Sequence, residues 1–180
     1  MGTSGDNVID GGGGGDRITA GGGDDIIEIG DRFIDFIDGG SGTDTLLLGD
    51  SGVLGGNNGS FDFTTIPDLR LQRIEALDTR NGVADASGIG VKDIFNISDD
   101  ANAFLEGELG LTLPNSFVID ASNAEGDTVT VYAELNASWA LNTTLSAAVD
   151  GDNVYEFTRG GSTDVLATLA STDDVTPSLP

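Results

Sequence analysis

The chain has 180 residues, with 31 Asp and Glu against 7 Lys and Arg and a formal net charge of −24. It holds neither Cys nor His, which excludes disulfides, thiolate nucleophiles, imidazole bases and zinc sites. Nucleic-acid phosphates and anionic lipid would be repelled, and no apolar run approaches the length of a membrane span. Self-repulsion on this scale disfavours a compact state unless counter-ions bind. Yet 38% of the residues are hydrophobic, enough for a core. The two facts predict a fold conditional on cations, of the hard kind held by Asp, Asn and carbonyl oxygens. Residues 1–6 contain no signal-peptide core, and Met1 reads as an artificial start to a piece of something longer.

The first fifty residues are periodic. Their template is Gly-Gly-x-Gly-x-Asp-x-U-x, with U a large aliphatic. Residues 11–19 (GGGGGDRIT) and 39–47 (GGSGTDTLL) match every fixed position, and residues 20–28 (AGGGDDIIE) miss only the first Gly. Residues 2–10 (GTSGDNVID) carry Asn7 in the Asp place; after one extra residue, Ile29, residues 30–38 (GDRFIDFID) put Phe33 where the middle glycine belongs. A flexible glycine-rich linker would not space Ile9, Ile18, Ile27, Ile37 and Leu46 in this way. No helical pattern follows Gly11-x-Gly13, which argues against a dinucleotide fingerprint. An EF-hand fails as well, because Arg17 stands where its bidentate Glu belongs.

The residue types dictate a geometry. Glycines let the first six residues of each repeat curl their carbonyls inward, and the sixth residue adds a carboxylate. The U residue then sits in a short strand and points to the interior. Successive strands fall on opposite faces of a flattened parallel coil. Turns of like parity therefore stack, with Asn7, Asp25 and Asp44 on one edge and Asp16 and Asp35 on the other. Each Ca²⁺ is expected between stacked turns. The donors are those side chains, with Asp24, and the turn residues Gly11, Gly13, Gly15, Ala20, Gly22, Gly39, Ser41 and Thr43. About three to five ions are expected, each taking roughly 6–8 oxygens.

Residues 2–47 resemble the repeats-in-toxin (RTX) family, whose calcium β-roll this nonapeptide defines. The resemblance implies an N-terminal parallel β-roll over residues 1–50, in a protein that leaves the cell unfolded by type I secretion and folds in calcium-rich surroundings.

Beyond Leu46-Leu47-Leu48 the period stops. Residues 49–60 read as a turn-rich connection, and residues 51–180 as a β-rich capping or binding module with at most one short helix. The strands expected there are Phe61-Asp62-Phe63, Leu69-Arg70-Leu71, Ile74 to Leu77, Phe117 to Ile119, 127–132, the region of Trp139, 153–158 and 164–169. Residues 89–97 (IGVKDIFNI) have the spacing of a turn or two of helix. The fold class expected for the whole chain is all-β.

Several stretches of this half, Leu71 to Gly82, Asp93 to Asp99, Gly126 to Val131, Trp139 and Tyr155 to Thr158, resemble in their order modules of giant bacterial surface adhesins. Residues 103–116 (AFLEGELGLTLPNS) read as an insertion into that pattern. Asp120, Glu125, Asp127, Asp150 and Asp152 flank turns, where such residues are more often solvated than metal-binding.

Relatives of the repeat accompany enzymes, but no catalytic motif occurs. Zinc-protease and Ser-His-Asp chemistry both need His, and no carboxylate pair is singled out. The expected function is that of a calcium-folded spacer in an extracellular, cell-surface adhesin, monomeric and not an enzyme. The alternative is an adhesin head that takes a peptide or glycan with Ca²⁺ at the site.

Overall fold

The structure, a computed structural model, describes residues 1–31, 33–49, 60–67, 69–79, 86–90, 93, 116–120, 128–132, 137–141, 152–159 and 165–172. Each nonapeptide supplies one strand: β1 (Val8–Asp10), β2 (Asp16–Gly22), β3 (Ile26–Ile29), β4 (Ile34–Ser41) and β5 (Thr45–Leu48). Odd strands pair in parallel in one sheet, Val8 against Ile26 and Ile26 against Thr45. Even strands pair in a second, Ile18 against Ile37. The chain thus winds as a parallel β-roll, and like-parity turns stack as their spacing predicts.

Side-chain alternation sends the aliphatic U position inward. Ile18, Ile27, Ile37 and Leu46 are all buried, the last three completely, and Ile9 at the first turn is half-buried. Burying each such side chain stabilises the coil by about 1.5–3 kcal/mol. That term must offset the repulsion of the acidic edges.

The roll does not stop at residue 50. Further strands are β6 (Ser60–Asp62), β7 (Leu71–Gln72), β8 (Ala76–Asp78), β9 (Ala86–Gly90), β10 (Ser116–Asp120), β11 (Thr128–Tyr132), β12 (Ala137–Leu141), β13 (Asp152–Arg159) and β14 (Val165–Thr172). β8 continues the odd sheet in parallel, Leu46 against Leu77, and β10 and β14 follow, giving an eight-stranded sheet β1-β3-β5-β8-β10-β14-β13-β12. β7 adds to the even sheet beside β4, and β11-β9-β6 form a third, parallel sheet. Among the described residues only two pairs, β14 with β13 and β13 with β12, are antiparallel. Leu46 and Leu48 are fully buried at the seam between β3 and β8. One core runs from Ile18 to Tyr155 and includes edge-to-face Phe61–Phe63 and Phe63–Phe117 contacts, with centroids 4.8 and 6.0 Å apart.

The fold is all-β among the described residues, apart from a 3-10 turn at Phe63–Thr65 and the helical residue Asp93. That turn corrects one expected strand. Asp62 accepts from the Thr64 N–H and hydroxyl and caps the turn, so alternation ends at Phe63. A second correction concerns Leu69, which has φ 70 and cannot belong to a strand; β7 begins at Leu71. A third concerns where the helix expected over 89–97 starts. Ile89 and Gly90 lie in β9, where Ile89 is buried, while Asp93, the one described residue of 91–97, is helical. Residues 50–59 of the connection and residues 103–115 of the insertion lie outside the described residues.

Candidate metal centre

The odd edge stacks three six-residue turns, 2–7, 20–25 and 39–44. Backbone bonds tie them together: Gly22 N–H to Thr3 C=O at 2.9 Å and Gly23 N–H to Ser41 C=O at 2.9 Å. The stack needs glycine for two reasons. Gly21 and Gly40 have φ of 123° and 112°, where an L side chain is strained. A carbon added at Gly40 would also run into the Gly21 carbonyl oxygen, and one at Gly21 into that of Thr3.

The sixth residue of each turn forms a ladder. Asn7 N–H donates to Asp25 Oδ1 at 2.7 Å, and Asp25 N–H donates to Asp44 Oδ1 at 2.9 Å. A second ladder at the fifth position runs the other way. Asp24 N–H donates to Asp6 Oδ1 at 2.9 Å, and Thr43 N–H to Asp24 Oδ1 at 2.8 Å. Asp25 and Asp44 are completely buried. Each uses one carboxylate oxygen in the ladder, and the other, Oδ2, is buried without a hydrogen-bond partner.

Buried carboxylate oxygens without partners are costly, on the order of several kcal/mol per ion. The cost shows in Asp44. Burial, with Asp25, Asp24 and Asp38 nearby, pushes its carboxyl up from 3.8 to about 6, against the opposing hydrogen bond from the Asp25 N–H. Among the described residues no three Asp or Glu side chains form a cluster able to hold a metal alone. With the orphaned Oδ2 atoms beside carbonyl-rich turns, the donor set fits an ion that accepts one or two carboxylates and completes its shell with carbonyls, as Ca²⁺ does. The orphaned Oδ2 atoms and the glycine-only turns fit it. On this edge Asn7, Asp24, Asp25 and Asp44 would hold Ca²⁺, with turn carbonyls drawn from Ala20, Gly22, Gly39, Ser41 and Thr43.

The even edge is looser. Turn 11–16 lies on turn 30–35 through Gly30 N–H to Gly12 C=O at 2.7 Å, and Gly11 N–H reaches Glu28 C=O at 2.9 Å. A carbon added at Gly15 would lie 3.1 Å from the Asp35 carboxylate. Asp16 is half-buried but Asp35 is exposed, as are Gly13 and Gly15. Phe33, in the place of the middle glycine, is also exposed and cannot fold its backbone into a cradle as glycine does.

Three side chains that take part in these edges were not singled out by the repeat template. Asp6 holds the Asp24 N–H, and Asp31 accepts from Gly14 N–H at 2.6 Å. Glu75 lies beyond the repeats, yet its Oε2 accepts from Asp44 N–H at 2.8 Å, the slot each sixth-position Asp fills one layer earlier. Its buried carboxylate beside the apolar Ile74 was the available signal. Glu125, Asp127 and Asp150 lie outside the described residues.

Residues 1–28 and 29–51 match the family model of the RTX calcium-binding nonapeptide repeat (4 copies). The N-terminal segment is thus similar to RTX calcium-binding repeats. A comparison with curated proteins found no match, and neither did one with solved structures. No helix among the described residues is long and apolar enough to cross a membrane.

Proposed function

We propose that the chain is a calcium-folded extracellular module of a large bacterial RTX adhesin, acting as a folding and spacer unit in cell-surface adhesion. The observation that carries this is the Asp25–Asp44 pair, whose Oδ2 atoms are buried and unpartnered. Without a cation these charges and the net −24 oppose the coil. With Ca²⁺ between the turns, binding free energy becomes folding free energy. A chain released unfolded by type I secretion would then acquire its shape where calcium is abundant. The adhesin part of this reading rests on the sequence resemblance of the stretches from Leu71 to Thr158 to adhesin modules. The module performs no catalysis in this role, and as an excised unit it is monomeric.

The test is far-UV circular dichroism during a Ca²⁺ titration of the EGTA-treated protein. A gain of β signal at micromolar to millimolar Ca²⁺ is expected, with no equivalent gain from Mg²⁺, which resists dehydration into a carbonyl-rich cage. A spectrum unchanged between EGTA and millimolar Ca²⁺ would overturn the assignment.

One observation favours a ligand-binding role beside the spacer role. A groove of about 330 Å³ opens at the even edge between Phe33, Asp35, Phe61, Asp62, Ile66 and Arg70. Exposed aromatic surface with flanking charge suits a peptide or a glycan. Peptide and glycan arrays probed with and without EGTA would separate the two roles; a calcium-dependent hit lost in Phe33→Ala supports the head, and no hit leaves the spacer.

A further inference from the structure

Segment 69–75 lays one more layer on the roll, and it brings two of the chain's seven basic residues with it, one to each edge. On the even edge, Arg70 C=O accepts from Ile37 N–H at 2.7 Å, and Arg70 Nη1 donates to Ile34 C=O at 3.0 Å, 3.9 Å from Asp35. On the odd edge, Glu75 takes the Asp44 N–H, and Glu75 N–H donates back to Asp44 C=O at 2.9 Å. The Arg73 backbone stacks on Gly39 so closely that a side-chain carbon on that glycine would meet the Arg73 carbonyl oxygen. The Arg73 guanidinium pairs with Asp38 through Nη2.

This layer is built differently from those below it. Where Gly39 to Asp44 spends six residues on its turn, the stacked segment reaches Glu75 from Arg73 in three, with Arg73 itself at φ 52. Half of a turn is missing, and with it the carbonyls that would line a cage. Three polar atoms remain buried and unpartnered around the junction: Asp38 Oδ1, Asp44 Oδ2 and Arg73 Nε. Asp38 is only 8% exposed, and a side-chain carbon on its neighbour Gly39 would run into Asp44 Oδ2 as well as the Arg73 carbonyl oxygen. Such carboxylates need a cation, and the one present is covalently attached.

We propose that Arg73 is a resident cation that ends the calcium stack, its guanidinium serving the Asp38–Asp44 corner as Ca²⁺ serves the turns beneath. Arg70 repeats the arrangement in weaker form on the even edge, where both partners are about half exposed and the pair contributes little. The calcium-requiring repeats would thereby join the strands beyond residue 75 through a layer that carries its own positive charge. The proposal rests on the calcium-roll reading.

The experiment counts bound Ca²⁺ by equilibrium dialysis at saturating calcium for the whole chain, Arg73→Gln, Arg73→Lys and the double variant Asp38→Asn/Arg73→Gln. Arg73→Gln is expected to bind about one ion more than the parent, since the Asp38 and Asp44 carboxylates are then open to a hard cation whose shell water can complete. Arg73→Lys keeps the charge, and the double variant removes the carboxylate that needs it; both should return the parent count. A folded Arg73→Gln with the parent count overturns the proposal. Should Arg73→Gln not fold at any calcium level, the double variant decides: recovery of the fold with the parent count supports the charge pairing, and failure overturns it. A parent chain that binds no calcium would instead sink the calcium-roll reading itself.

Discussion

Asp44→Asn separates the two tasks of a sixth-position carboxylate. The amide keeps an oxygen for the Asp25 N–H, so the ladder bond of 2.9 Å survives, but the charge is gone. In the calcium-free fold that charge is a burden. Raising the Asp44 carboxyl from 3.8 to about 6 corresponds to about 3 kcal/mol of destabilisation once it is ionised at pH 7. The sign follows from the raised value: the contribution favouring the calcium-free fold is complete below 3.8 and is lost as pH rises through about 6. In the calcium-bound fold the same charge is a ligand, and affinity follows ligand charge. The substitution should therefore act in opposite directions. With EGTA, osmolyte-driven folding followed by circular dichroism should need less osmolyte in the variant than in the parent at pH 7, and the difference should vanish below pH 4. With Ca²⁺, the folding midpoint of the variant should rise by about tenfold or more. Lowering the pH from 7 to 5 should raise the parent's calcium midpoint and move the variant's less. A variant that is harder to fold in EGTA, or whose calcium midpoint is unchanged, would refute the reasoning.

Gly40→Ala combines φ 112 with a collision at the Gly21 carbonyl, and should cost at least about 2 kcal/mol in urea denaturation at saturating Ca²⁺; Gly5→Ala, where the new carbon meets nothing within 4 Å, should stay within about 0.5 kcal/mol. Leu77→Ala opens a hole in a fully buried position paired with both Leu46 and Ile119, and should cost about 2–5 kcal/mol in the same assay. A loss under about 1 kcal/mol there would mean that β8 does not seal the roll.

The repeat half was legible because an aliphatic U residue recurs in every turn, even where the glycines depart from the template. Ile18, Ile27, Ile37 and Leu46 fell where the nine-residue count put them, and so did the pairing of Asn7 with Asp25 and Asp25 with Asp44. Ile29 was legible as an extra residue, and it lengthens the step between stacked partners from 18 to 19 residues. The second half yielded its strands more readily than its joints. Phe61-Asp62-Phe63 alternates like a strand, but a capping Asp followed by Thr64 diverts the chain at Phe63. Ile74 and Glu75 are adjacent and both buried, which no alternating pattern allows. Glu75 goes inward because a backbone N–H from another turn waits for it, and that partner lies 31 residues away in sequence.

That distance shows why the period ends where it does. A cage for Ca²⁺ fixes the length of the turn that builds it, since its carbonyls and its carboxylate must arrive at set positions around the ion. Along the repeats, stacked partners on this edge are 18 and 19 residues apart. Once the layers carry no cage, only strand register has to be kept, and the cost of a longer connection grows slowly with its length. The step from Thr45 to Ala76 is 31 residues, and the step from Ala76 to Val118 is 42, although both pairs lie parallel in the same sheet. The coil therefore continues after its repeat has vanished from the sequence. What changes at Arg73 is the means of neutralising the edge, from a diffusible ion to a side chain, and with it the constraint that made the turns alike.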